Sequence, residues 1–550
     1  MHNFFKKNFW ILLFLSLFLI SCKNSSKNFK EVQFKDLKGP PLVIGILSQD
    51  SPKNVLDTFY PLKAFLENKL QKPIRIYIFK NFDKYYQKIQ GKEIDILILD
   101  PASYCEIRWK TQKYIIPLVK PEGGEGEIRS VFVAKEGGSI EKIFDAINKR
   151  LALGDERSSF SYLIPVSMLK DVGLSLKDFK RVDRIENEHN IALFVLIGEY
   201  EVGALSESVA NKYLKDGLKI IKRSEITPKF IVATRVDFQE KDKIKKLLLN
   251  QVDKKILQIL NIKSFAPAED RDFDYIRVLI RNFKGKDYIE YSKDTIKVAI
   301  LPLYSPLTIY KKFDPLMRYL SKKTGYEFKL VIPKDFEEFI KIVSEGKVHF
   351  SYQNPYVYAL IAKKYPLKVL VITVGEECEV NNVKKVCGGK AFRGVIIVRK
   401  DSSIGSVKDL RGKKIFIVSP YSAGGFLSQR LFLEKKGFNV YKDFRLVDAK
   451  RQEKVIIGVY RKEADAGFVR EAALSVFSQE VDMTKIKVLA FTEYLPNWPF
   501  CAVNVDPALA NKVKDLLIQI KNKEILKNLY IKGFSPVSDE DYRILKKLAE

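Results

Sequence analysis

Histidine is almost missing from this chain: His2, His189 and His349 are the only three among 550 residues. Hydrolytic constellations built on an imidazole base have nothing to draw on except His189, and no catalytic residue is assigned. No cysteine–histidine spacing suits zinc. No glycine-rich loop ends in Lys-Ser or Lys-Thr to cradle a nucleotide phosphate. Neither a metal nor a cofactor is expected. A membrane-spanning apolar run is missing too, because the run at 10–20 is too short to cross a bilayer as a helix. Acid is scarce relative to base, with Asp+Glu 67 against Lys+Arg 96 and a net charge of +29. The lysines are spread along the whole chain rather than gathered into a basic arm. That pattern reads as a solvated surface and speaks against a nucleic-acid partner. The excess still draws small anions and acidic lipid head groups.

What is present begins with an export signal. Lys6 and Lys7 precede the apolar stretch FWILLFLSLFLI, and Ser21-Cys22 follows. A basic start and a short apolar core make a signal peptide over 1–21. The Leu19-Ile20-Ser21-Cys22 sequence resembles a bacterial lipobox, which implies cleavage before Cys22 and a lipid on its thiol. The protein is then expected on the periplasmic side, anchored to the cell membrane, with 22–40 as a polar tether. Five cysteines fit this compartment. Cys378 and Cys387 lie in EECEVNNVKKVCGGK, which can close a small hairpin, either as a disulfide or as two free thiols. Cys105 and Cys501 stand singly in apolar surroundings and read as core.

The rest of the chain is one sequence written twice. The stretch 43–104 returns at an offset of 254, pairing Ile46 with Ile300, Pro52 with Pro306, Phe59 with Phe313, Pro61 with Pro315, Pro101 with Pro355 and Tyr104 with Tyr358. The echo continues at an offset of 264 from Arg129/Arg393, after an insertion that carries Cys378 and Cys387. A repeat this long is a copied domain, not a solenoid unit. It divides the chain into unit 1 (41–285) and unit 2 (294–550), with a polar boundary at 285–293. Apolar strands alternate with helical patterns in both, which predicts an α/β fold on a mainly parallel sheet. Helices are expected at 140–149 and, as one long element, at 239–260. The chain passes from one α/β block to another and back, near 125–130 and 225–230 in unit 1 and near 390 and 497 in unit 2. Two lobes joined by two segments form a cleft and a hinge, an arrangement suited to trapping a ligand.

The candidate site residues lie on loops at strand ends. Asp155, Ser158 and Ser159 in GDERSSFS, and Ser422, Ala423, Gly424 and Gly425 in SPYSAGG, each follow a strand and open a helix. Free amides and small hydroxyls there suit an oxyanion. The turns DPASY and NPYVY place Ser103, Tyr104, Tyr356 and Tyr358 at strand ends where α/β sheets bind ligands. Tyr304 ends the first strand of unit 2. Glu207 and Glu471 are equivalent, and either could read an amino or hydroxyl group. Arg470 could pair an anion, or pair Glu471 itself.

These motifs together resemble the PhnD-like family, the phosphate, phosphite and phosphonate substrate-binding proteins of ABC importers. The matching features are the Pro61–Leu66 helix, IDILILDPASY, the Gly154–Ser159 loop and His189 in unit 1. In unit 2 they are Pro315–Leu320, NPYVY, RGVIIVRKDS, the SPYSAGG loop and the Ala464–Gly467 strand. The resemblance covers nearly all of the mature chain, twice. It implies two tandem bilobal type 2 periplasmic-binding-protein units and a ligand-binding role for His189. It also implies capture of a small anionic solute and its delivery to an ABC permease. The alternative is a lipoprotein sensor acting with a membrane partner of the histidine kinase type; an enzyme on this fold has less support. In unit 2, Gln452-Glu453 departs from the His-Glu pair of the family pattern, and Ala423 from a hydroxyl.

Overall fold

Each unit folds as two sheets because its strands are buried on both faces while the intervening helices bury one. In the computed structural model, residues 39–48, 50–375, 378–380, 383–385, 389–476 and 481–537 are described. The signal, Cys22 and the tether up to residue 38 lie outside them. So does the Cys378–Cys387 pairing, since Cys387 and the Cys378 side chain are not described.

The first lobe of unit 1 is a six-stranded sheet. Its order is Ile74–Phe79, Leu42–Leu47, Ile96–Leu99, Ile231–Arg235, Ile115–Glu122 and Ser264–Pro267. The second lobe is five-stranded: Leu218–Arg223, Ser130–Lys135, Val202–Ser206, Arg150–Leu153 and Arg181–Arg184. Unit 2 repeats both orders, from Phe328–Val331 to Ile531–Ser535 in one sheet and from Arg445–Asp448 to Ile486–Pro496 in the other. The expected mainly parallel sheet is instead mixed. Leu42–Leu47 runs parallel to both neighbours, but Ile231–Arg235 returns from the second lobe and is antiparallel to both of its own. A strand that re-enters a sheet from another domain is free of the handed crossover that makes neighbours parallel.

The crossings are short paired segments. Glu127–Ile128 and Thr227–Pro228 form an antiparallel pair in unit 1. In unit 2, Ala391 pairs with Pro496, and the Asn497 amide donates to the Lys390 carbonyl at 2.8 Å. Two helices differ from expectation. The 239–260 stretch breaks into Lys241–Asn250 and Lys254–Ile259, because Asp253 turns extended before the second one. Only a single turn, Ile143–Ala146, forms within 140–149, a stretch that opens on Ile140 in the apolar core rather than on a capping residue.

The units are packed together. Phe273 and Tyr275 of unit 1 share one apolar cluster with Leu316 and Met317 of unit 2. Arg271 pairs with Asp314 at 2.8 Å, Arg318 with Glu269 at 2.9 Å, and Arg461 with Asp145 at 3.0 Å. Both single cysteines, Cys105 and Cys501, are buried free thiols. His349 is structural: its Nδ1 accepts from the Lys297 amide at 2.8 Å.

Candidate functional site

In each unit the cleft is built from strand ends that run into capped helices. Lobe one contributes the turn after the third strand. In unit 2 that turn is Asn354, the N-cap of Pro355–Ala362, whose Oδ1 accepts from the Val357 amide at 2.9 Å. Its Nδ2 reaches across the cleft to the Tyr421 carbonyl at 3.2 Å. Lobe two contributes the loop after Lys414–Ile417, where Ser422 caps the Ala423–Leu427 turn and accepts from the Gly425 amide at 3.0 Å. The first amides of such a turn have no intrahelical acceptor. Glycine is needed at 424 because a Cβ would stand 3.0 Å from both Arg470 Cβ and Phe392. Gln429, fully buried, clamps the turn to the sheet by donating to the Gly424, Val395 and Val469 carbonyls at 2.9–3.0 Å.

The distinctive group of unit 2 is Arg470, at the end of Ala466–Arg470. Its stem lies on Gly424 and its guanidinium over the Phe392 ring at 4.5 Å. The neighbouring Glu471 does not neutralise it, since Glu471 holds Arg393 through contacts of 2.7 and 2.9 Å. Arg470 forms no salt bridge among the described residues, and its Nε is sealed from water with no hydrogen-bond partner. Burial lowers its pKa, and the ionisable side chains that offset this are Tyr304 and Tyr352. A desolvated cation without a counter-charge is costly unless an anion joins it.

The other expected residues of unit 2 divide. Tyr304 stands partly exposed at the cleft rim. Tyr356 is half-buried near Arg430, whereas Tyr358 is in the core. Glu453 opens the helix Gln452–Tyr460 and lines a cavity of ≈ 250 Å³. Asp171, Lys222 and Glu225 of unit 1 close the same cavity from the other side, with Tyr304 and Ser305 of unit 2. Burial raises the Glu453 pKa from 4.5 to about 7, against the pull of Arg451. A carboxyl raised in the folded state stabilises fully below its unfolded pKa, and that stability is lost as pH climbs through 7. A tenfold change in proton affinity is about 1.4 kcal/mol, so the loss is on the order of 3 kcal/mol at most. Glu453→Gln should therefore raise the melting temperature at pH 8 and leave it unchanged at pH 4. Melting curves at the two values check this; equal shifts at both would remove the titration as cause.

Unit 1 arranges the same positions differently. Asp100 replaces Asn354 as the cap of Pro101–Lys110, accepting from the Ser103 amide at 3.0 Å. Its Oδ2 accepts from the Ser159 amide at 3.1 Å and from the Ser159 hydroxyl at 2.7 Å. Ser158 Oγ accepts from the Ser161 amide and hydroxyl at 3.1 and 2.8 Å. Asp155 is an exposed turn residue whose carboxylate caps the Arg157 amide. Ser103 is buried, and Tyr104 donates to Asp270 at 2.7 Å beneath the site. Glu207 pairs with Arg223 at 2.7 Å. His189 Nδ1 meets the Tyr213 hydroxyl at 2.9 Å, and its Nε2 lies 3.7 Å from Asp50. Beside it, Glu188 is half-buried and holds the Ser206 amide and hydroxyl. Burial raises the Glu188 pKa, with Ser206 opposing. Asp100, Glu188 and Gln429 were not picked out from sequence. The signal for Asp100 was the Asp/Asn exchange before proline in the two copies.

Comparison with known proteins agrees with the duplication. The family described as ABC transporter, phosphonate, periplasmic substrate-binding protein matches twice, at residues 44–273 and 298–542. The phosphate-import protein PhnD of Mycolicibacterium smegmatis is 21% identical over 281 residues, covering 45% of this chain and 83% of that protein. The tetrathionate sensor histidine kinase TtrS of Salmonella typhimurium is 25% identical over 237 residues, covering 40% of this chain and 38% of the kinase. Among solved structures, PhnD1 from Prochlorococcus marinus in complex with methylphosphonate is 20% identical with a TM-score of 0.41. It covers 44% of this chain and 98% of that one.

Proposed function

The chain belongs to the ABC-transporter periplasmic phosphonate-binding family, present here as two copies, and from that premise we propose that unit 2 captures a small oxyanion of the phosphate, phosphite or phosphonate kind. The observation that carries this is Arg470, a cation in the cleft with its Nε sealed and unpartnered and no salt bridge among the described residues. The anion would sit between that guanidinium, the free amides of the Ala423–Leu427 turn and the Ser422 hydroxyl. Charge-assisted hydrogen bonds of this sort are the strong ones. Tyr304 and Tyr356 would line the lobe-one side. Glu471, Glu207 and Tyr358, spent on other partners or in the core, are left out of this reading.

The family places the protein outside the cytoplasm, and no described helix is long and apolar enough to cross a membrane. Cys22 would supply the attachment as a lipidated N-terminus. Closure of the two lobes would present the loaded unit to a permease. The likeness to TtrS supports the second reading, in which the loaded unit signals to a membrane kinase. Neither reading requires turnover of the solute.

The test is a melting-temperature screen of the mature chain against phosphate, phosphite, methylphosphonate and sulfate. Ligand at a hundred times its dissociation constant adds about 2.7 kcal/mol of stability. A clear rise with at least one phosphorus oxyanion is expected; no rise with any of the four overturns the proposal.

A further inference from the structure

We infer that unit 1 is liganded by the chain itself: the Asp100 carboxylate occupies the place a solute oxyanion takes in unit 2, so unit 1 rests closed and admits no anion. The part of this that counts one anion per chain rests on the reading of unit 2. The closure of unit 1 does not.

Four pairs of equivalent positions carry the argument. Asp100 stands for Asn354, Ser159 for Ala423, Glu188 for Gln452 and Ser206 for Arg470. Two of the pairs have kept their geometry. Glu188 and Gln452 both accept from the amide at the end of the neighbouring strand, at 3.0 Å in each copy. Asp100 and Asn354 both cap their helix and reach across the cleft to the opposite loop. What differs is charge. At these four positions unit 1 has two carboxylates and no guanidinium; unit 2 has two amides and a guanidinium.

The donors an oxyanion would use are already taken in unit 1. The Ser159 amide and hydroxyl both point at Asp100 Oδ2, and the Ser159 Oγ in turn accepts from the Ala102 amide at 2.9 Å. This knot ties lobe two to lobe one through a carboxylate, which is itself an oxyanion on a short tether. Two further contacts cross the same cleft: Asp50 to His189 at 3.7 Å, and Arg157 over the Phe82 ring at 4.9 Å. An incoming anion would have to displace Asp100 and then face it, with Glu188 and Asp50 close by. Of the nearby arginines, Arg223 and Arg129 face Glu207 at 2.7 and 3.9 Å, and Arg157 lies over the Phe82 ring. Like charges at such range disfavour binding strongly in a partly dry site.

Hydrogen exchange read by mass spectrometry on the mature chain tests this without a solute. The segment 154–163 of unit 1 should be protected at rest, while 418–427 of unit 2 exchanges faster. Asp100→Ala should speed exchange in 154–163 by about tenfold or more, the loss expected when two charge-assisted bonds are removed. Ser159→Ala, which keeps the Asp100 cap, should do so to a lesser degree. Unchanged protection of 131–135 shows that either variant has folded. Rapid exchange of 154–163 in the wild type, or no acceleration in either folded variant, overturns the proposal. Adding 10 mM inorganic phosphate separates the two readings. New protection confined to 418–427 supports both, whereas new protection in 154–163 overturns self-occupancy. If 418–427 gains nothing, the capture reading fails while the solute-free result still decides unit 1.

Discussion

Replacing Arg470 with Met is expected to weaken the phosphate binding proposed for unit 2 about ten- to a hundredfold, without lowering the melting temperature of the empty protein. The two halves of this expectation come from one geometry. In the loaded state proposed for unit 2 the guanidinium would donate to the oxyanion, and hydrogen bonds to a charged group contribute about 1.5–3 kcal/mol. In the empty state the same guanidinium has no carboxylate among the described residues, and its Nε has no partner. Replacing a buried charge that lacks its counter-ion by an apolar chain of similar volume is neutral or stabilising. Methionine keeps the stem that lies on Gly424 and a polarisable contact with Phe392. Titration calorimetry gives the affinity and a melting curve gives the stability. Wild-type affinity in the variant would exclude Arg470 from the site. A lower melting temperature without ligand would make the guanidinium a structural group instead.

The scaffold of this site was readable because both copies keep the same punctuation. Ser51 and Ser305, Asn81 and Asp335, Asp100 and Asn354, Ser158 and Ser422 are each the N-cap of the matching helix. Capping residues before proline or a small residue mark helix starts from sequence alone. The two-lobe topology followed from where those starts sat relative to apolar strands. What sequence could not show was which donors remain free once the lobes meet. Ser159 and Asp100 are 59 residues apart, and only closure makes them partners. Glu207 and Glu471 matched across copies and so looked like ligand readers, but each faces an arginine, Arg223 and Arg393, brought by another strand. The mixed sheet was hidden for a similar reason: strand direction depends on the excursion through the second lobe. Tyr104 carried the sequence signature of a site residue, yet its hydroxyl points away from the cleft into the acid–base cluster under it.

That cluster sets the second large effect. Arg277→Met should destabilise unit 1 by about 3–5 kcal/mol near neutral pH, the usual result of removing one partner of a buried ion pair. Arg277 is 3% exposed and bridges two acids. It meets Asp274 at 2.6 Å and Asp270 at 2.5 Å, and also donates to the Asp270 carbonyl at 2.9 Å. Burial on its own would raise the Asp270 carboxyl, but Arg277 and Arg108 hold it below its ordinary value. A depressed carboxyl gives stability that is present above its unfolded pKa and lost as pH falls through the folded one. Asp274 differs: burial already raises its carboxyl in the wild type, with Arg277 opposing. Without Arg277, Asp270 keeps Arg108 at 2.8 Å, but Asp274 loses its ion-pair partner, is raised further in the folded state, and costs stability at neutral pH that returns as it protonates. The gap between variant and wild type should therefore be widest at pH 7 and shrink toward pH 4. Asp270 also precedes Arg271, which crosses to Asp314 of unit 2, so the loss should loosen the seat between the units. Urea unfolding at the two pH values, followed through the unit 1 transition, measures both effects. A cost under 1 kcal/mol, or a gap independent of pH, would show that the acids are satisfied without Arg277.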